Sequence, residues 1–157
     1  TVRSRLTAWI TRRSSDITKR NGGDSNNCPG KLKPEKWKLK IMTDILQVKA
    51  YDFALRIVKL SEYLHDKKRE FVLSRKVLDS GTNIGLLKEE GKQGENKADF
   101  IQKYSVANKE AFKTHFLLRL LRDSEILSAN QTQELLSDCG EPQALLITSI
   151  RTSKANQ

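Results

Sequence analysis

The chain has 157 residues, 37% of them hydrophobic and 31% charged, with a formal net charge of +10. One domain is the expectation at this length, because single cores usually serve ~100–200 residues. No apolar run approaches the ~20 residues that span a bilayer, so the composition excludes an obvious transmembrane helix and suits a soluble helical protein in the cytoplasm.

The charge is unevenly placed. Residues 1–41 carry 11 Lys/Arg against 3 Asp/Glu, whereas residues 42–157 carry 18 against 16. The first segment also holds Gly22, Gly23, Pro29, Gly30 and Pro34 around an Asn/Asp/Ser cluster, the composition of a linker. Met42 is the only methionine and reads as a natural start. On that reading residues 1–41 are a basic extension or linker (upstream sequence, vector sequence or a poorly ordered arm), and 42–157 are the four-helix bundle. The alternative is a functional basic arm, since Val2, Leu6, Trp9 and Ile10 keep helical spacing among Arg3, Arg5, Arg12 and Arg13. Cys28 and Cys139 are far apart without CxxC spacing, and read as two reduced thiols.

Four helices are expected next. The first runs roughly over 44–65, capped by Thr43, with Ile45, Val48, Phe53, Ile57, Leu60 and Leu64 at mostly three- and four-residue steps. The second covers roughly 67–90, between a cap at Asp66 and a stop at Gly91, with a small-residue waist from Ser80 to Gly85. There a partner helix can approach closely. The third starts after the cap residue Asn96, with Asp99 in its positive first turn. It continues to about Asp123 through Phe100, Ile101, Tyr104, Ala107, Ala111, His115, Leu118 and Leu121. Ser128-Ala129-Asn130-Gln131 is a capping-box pattern that opens the fourth, which bears Leu135, Leu136, Cys139, Leu145, Leu146 and Ile150. Gly140-Glu141-Pro142 predicts a kink or break in it, because proline removes a backbone donor and clashes with the preceding turn. Short connections make neighbours antiparallel. The expected fold is all-α: an antiparallel up-down-up-down four-helix bundle with an N-terminal basic extension.

Several spaced segments carry a resemblance. Ala54 to Leu60 (ALRIVKL), Phe71 to Arg75 (FVLSR), Ser80 to Gly85 (SGTNIG) and Lys97 to Phe100 (KADF) come first. Lys109 to Ala111 (KEA), Leu117 to Ser124 (LLRLLRDS) and Thr148 to Ile150 (TSI) follow in order. Over about residues 44–152 the chain resembles the bacterial four-helix bundle proteins encoded in intervening sequences of 23S ribosomal RNA genes. It is similar also to a related bundle, the accessory variability protein of diversity-generating retroelements. The resemblance implies a ring, most simply a homopentamer. The related bundle implies basic surfaces that meet nucleic acid and a reverse transcriptase. Two departures stand out: Leu86-Leu87-Lys88 is bulkier than the small residues usual after Gly85, and Gly140 and Pro142 fall where the family runs an unbroken helix.

No catalytic constellation is present. His65 and His115 lie on different helices without partners, and His115 falls in the apolar register of the third. Glu89, Glu90 and Glu110 lack the Glu-x-x-His pairs of a di-metal bundle and read as structural ion pairs. Gly81 and Gly85 lack the strand and Lys-Ser/Thr ending of a phosphate loop. No enzyme, metal, cofactor, small-molecule substrate or membrane partner is therefore expected. The candidate binding residues are basic. Lys67, Lys68 and Arg69 form a run at the start of the second helix, Arg75 and Lys76 follow on its body, Lys109 and Lys113 share one face of the third, and Arg119 and Arg122 extend it. No aromatic pattern punctuates them, so any RNA or DNA contact should ignore sequence and respond to salt. The leading expectation is a non-enzymatic, self-associating bundle that binds nucleic acid; the alternative is a protein-interaction adaptor.

Overall fold

The structure is a computed structural model that describes residues 34–155. The spacing seen at Val2, Leu6, Trp9 and Ile10, and Cys28, lie outside the described residues. Four helices fill the described part: α1 (Pro34–Lys68), α2 (Val72–Lys92), α3 (Lys97–Asp123) and α4 (Ala129–Ala155). α1 packs on α2 and α4, and α3 packs on the same two, so α1 and α3 occupy one diagonal and α2 and α4 the other. Contacts between neighbours pair rising numbers with falling ones. Ile57 lies at Gly81 and Ser61 at Ser74 between α1 and α2. Ser80 meets Thr114 and Glu90 meets Lys103 between α2 and α3. Lys49 meets Glu141, and Arg56 meets Glu134 and Asp138, between α1 and α4. The bundle is therefore up-down-up-down.

Each helix buries one stripe. Leu46, Ala50, Phe53, Ile57, Leu60 and Leu64 of α1 meet Val77 and Ile84 of α2, with Tyr104, Ala107, Ala111, Leu118 and Leu121 from α3 and Leu135, Cys139 and Leu146 from α4. Gly81 is the tight point. A Cβ built there would sit 2.8 Å from Ile57 Cγ2, so the small-residue waist does bring α1 and α2 together. Gly85 is not under the same constraint, its nearest neighbour being Ala50 O at 3.9 Å. Lys88 is buried to 1% exposure, with Nζ donating to Glu89 Oε1 at 3.3 Å, and this loss of water lowers its pKa.

The helix ends show where local chemistry was readable. Asn96 Oδ1 accepts from the Asp99 backbone N–H at 2.9 Å, the expected cap of α3. Ser128 and Gln131 form the expected reciprocal box: Gln131 N–H donates to Ser128 Oγ at 3.3 Å and Ser128 N–H to Gln131 Oε1 at 3.4 Å. Replacing Asn96 by Ala should cost about 1 kcal/mol in a urea melt, because one first-turn donor loses its acceptor. An Asn96→Asp control should keep the stability.

Four expectations are corrected. α1 begins at Pro34, ten residues before the expected Asp44, inside the segment read as linker. Proline is well suited to a first helical position, since its missing N–H would have no helical partner there. Asp66 does not cap α2; residues 66–68 still belong to α1, and Glu70 Oε1 accepts from Val72 and Leu73 N–H at 2.9 and 2.7 Å. Gly91 does not stop α2, which continues to Lys92 with Gly91 packed on the Tyr104 ring. The break expected at Gly140–Pro142 is absent, and α4 is one helix through Pro142. Pro142 lies on the same buried face as Cys139 and Leu146, so packing against the core offsets the lost backbone bond.

Candidate nucleic-acid interface

The basic candidates separate into two groups. At the α1–α2 turn, Lys67 and Lys68 end α1, and Arg69 is in the turn itself with φ 54. They do not start α2, as the sequence suggested. Arg75 and Lys76 stand one turn into α2, on the same end of the bundle. All five are exposed, and none has an ion pair among the described residues. Of the nearby acids, Asp66 lies 3.5 Å from His65 and Glu70 caps α2, whereas Asp79 lines the same groove as Arg75 and Lys76 with no ion pair among the described residues. A shallow groove lined by His65, Phe71, Val72, Arg75 and Lys76 runs across this end. Phe71 is half exposed there, its ring edge-on to His65 at 4.5 Å. One aromatic among five cations is a single stacking point and not a repeating pattern.

The second group lies on α3. Lys109, Lys113 and Arg119 are exposed and Arg122 is half-buried. Lys113 pairs with Glu110 at 2.6 Å and Arg122 with Asp123 at 2.8 Å. The Arg122 guanidinium, first through its hydrogen bond, holds the Asp123 carboxyl below its ordinary range. Lys113 and Lys76 line one groove between α2 and α3 together with Phe112, Phe116 and Leu117 and the acids Asp79 and Glu110. This half of the basic set therefore frames apolar surface.

Three carboxylates considered for metal binding each take a lysine: Glu89 with Lys88, Glu90 with Lys103, Glu110 with Lys113. Among the described residues no group of three or more His, Cys, Asp or Glu is placed to hold a metal. No helix of the described residues is long and apolar enough to cross a membrane. His115 does not enter the core; it is half-buried, and Thr114 takes the inward position, donating to Ser80 Oγ at 2.9 Å. Cys139 is a buried free thiol.

Sequence reasoning missed the outward apolar residues. Ile45 and Val48 were assigned to the core stripe of α1, yet they are 45% and 46% exposed, and Leu46 and Ala50 take the core. With Ile41, Tyr51, Leu55 and Val58 they form a second stripe on the far side of α1. On α3, Phe112, Phe116 and Leu120 are also outward, the two rings 58% and 62% exposed. The signal was available: α1 carries two apolar periodicities at once, and a helix within one bundle can bury only one.

Known proteins give this geometry a context. No curated protein matches the chain. A crystal structure of a protein with unknown function from the S23 ribosomal protein family, from Bacteroides thetaiotaomicron VPI-5482, is 37% identical. It superposes with a TM-score of 0.69 over 70% of this chain and 98% of that one. Residues 44–148 match the family described as 23S rRNA-intervening sequence protein. That stretch runs from the first third of α1 to the last two turns of α4, and the chain belongs to the 23S rRNA-intervening sequence protein family.

Proposed function

We propose that this chain is a non-enzymatic cytoplasmic bundle protein that assembles with copies of itself and binds RNA or DNA through a basic surface. The carrying observation is the exposed set Lys67, Lys68, Arg69, Arg75 and Lys76 at one end of the bundle, without an ion pair among the described residues. Cations not already paired can release counterions from phosphates, and that release is the main sequence-independent term in nucleic-acid affinity. The resemblance implies a ring of five. A ring repeats the same weak patch, and contacts along one backbone sum.

The test is a mobility-shift titration of RNA and DNA at several salt concentrations, with the full chain and a Lys67→Ala/Lys68→Ala/Arg69→Ala/Arg75→Ala/Lys76→Ala variant. The basic residues of 1–41 are common to both proteins, so the difference reports the cluster. Affinity at low salt should fall at least about tenfold, and the slope of log affinity against log salt should drop by about 1 for each phosphate that the variant no longer neutralises. Equal affinity and equal slope in the two proteins would sink the assignment. The outward apolar faces favour a second reading, an adaptor for other proteins. A partner retained on the chain after nuclease treatment would support it.

A further inference from the structure

Two apolar faces lie open on opposite corners of the bundle. The α1 stripe from Ile41 to Val58 takes five steps over 17 residues, 3.4 residues per step. That is close to the 3.5 spacing of a helix that packs lengthwise on another helix, and the stripe is ~26 Å long. The α3 face presents Phe112, Phe116 and Leu120 at four-residue steps. Exposed phenylalanine rings of this kind are typical anchors at protein interfaces. Because α1 and α3 are diagonal, the two faces cannot meet within one chain.

We infer that the outward stripe of α1 docks on the outward face of α3 of a second copy of this chain. This rests on the self-association proposed above and names the surfaces that would make it. The charges select the pairing. Asp44 and Asp52 flank the α1 stripe, and Lys109 and Arg119 flank the α3 face, all four without an ion pair among the described residues. Neither face suits its own copy. Parallel self-pairing of α1 sets Asp44 beside Asp44 and Asp52 beside Asp52. Antiparallel self-pairing about the stripe centre sets Lys40 against Lys59. For α3, parallel pairing sets Lys109 beside Lys109, and antiparallel pairing about Phe116 sets Lys113 against Arg119. Each face against the other brings Asp44 and Asp52 towards Lys109 and Arg119 around an apolar centre, with Lys40 and Lys59 left at the two ends of the α1 stripe. Such an interface is head-to-tail: every subunit keeps one free α1 stripe and one free α3 face until the chain of subunits closes. Lys109 and Arg119 then serve the subunit interface, Lys76 stands at its rim in the groove with Phe112 and Phe116, and the nucleic-acid role falls to Lys67, Lys68, Arg69 and Arg75.

The test uses the full chain with two variants, Val48→Asp/Leu55→Asp and Phe112→Asp/Phe116→Asp. Circular dichroism first establishes that both keep their helix and a cooperative melt. Light scattering should give the wild type as a multiple of its 17.9 kDa mass and each variant as a monomer. An equimolar mixture of the variants should give a species of twice the chain mass, because one keeps a good α3 face and the other a good α1 stripe. If either variant assembles like the wild type, or the mixture stays monomeric, this pairing is wrong while self-association stands. A monomeric wild type overturns both. Should a variant unfold, Asp44→Lys/Asp52→Lys and Lys109→Asp/Arg119→Asp leave the apolar residues intact. Each alone should weaken assembly and their mixture restore it; a mixture no better than either alone overturns the pairing.

Discussion

Raising the pH from about 9 to 12 should strip this bundle of most of its stability. Two acids are sealed in the core without an opposite charge. Burial pushes the Cys139 thiol from 9.0 up to about 12. Burial, then the carboxylates Glu89 and Asp44, push the Tyr104 phenol from 10.0 up to about 12. Both residues are fully buried, and the Tyr104 hydroxyl has no hydrogen-bond partner among the described residues. Both pKa values are raised in the folded state. The contribution is therefore complete below the unfolded values, and is lost as pH rises towards the folded ones, because the unfolded chain releases these protons first. A difference of one in pKa is worth about 1.4 kcal/mol. Together the two groups come to about 7 kcal/mol, comparable with the ~5–15 kcal/mol that holds a domain of this kind together. Lys88 acts in the opposite sense, since burial lowers its pKa and its charge weighs less on the fold as pH rises. Urea melts at pH steps from 8 to 12 should show the collapse. Cys139→Ala and Tyr104→Phe should each move the alkaline midpoint upward. A variant that follows the wild-type pH curve would show that its group is not responsible.

Gly81→Val should cost about 3 kcal/mol, and Gly81→Ala about 1 to 2, through overpacking between α1 and α2. A β-carbon at this position would lie 2.8 and 2.9 Å from the two γ carbons of Ile57. Ile57 is fully buried and β-branched, so its first torsion has little freedom to turn aside. Helix propensity alone makes the contrary forecast, a gain of about 1 kcal/mol for alanine. The sign of the Gly81→Ala change in a urea melt decides between them. Shortening the opposing side chain is the control. In Ile57→Ala/Gly81→Ala the new methyl group fills space the isoleucine left, and the double variant should be destabilised by less than the two single changes added together. Strict additivity would mean that the two residues do not compete for the same volume.

The sequence showed the number and order of the helices because four amphipathic segments are separated by short polar turns. It showed the starts of α3 and α4 because Asn96 and the Ser128–Gln131 pair are side-chain caps, readable from residue type alone. Other features depend on packing. Ile45 and Val48 satisfy a helical period as well as Leu46 and Ala50 do, and only the neighbouring helices decide which set turns inward. Pro34 was read as part of a linker, yet the same residue type also opens helices. Pro142 was read as an interruption, because the sequence does not reveal that Cys139, Pro142 and Leu146 share a buried face. For the candidate site, residue type identified the cations. It did not reveal that Lys113 and Arg122 are partnered while Lys67, Lys68 and Arg75 have no ion pair among the described residues, nor that exposed phenylalanines separate the α3 lysines.

Lys88 divides the primary amines of the described chain into two classes. Most stand in solvent and would react at once with a mild acylating reagent, as surface amines do. Lys88 is shielded by its neighbours, and its Nζ meets such a reagent only when helices part. Its labelling rate is thus a clock for transient opening of the bundle, read by mass spectrometry from a single peptide, with the surface amines as the zero of the scale.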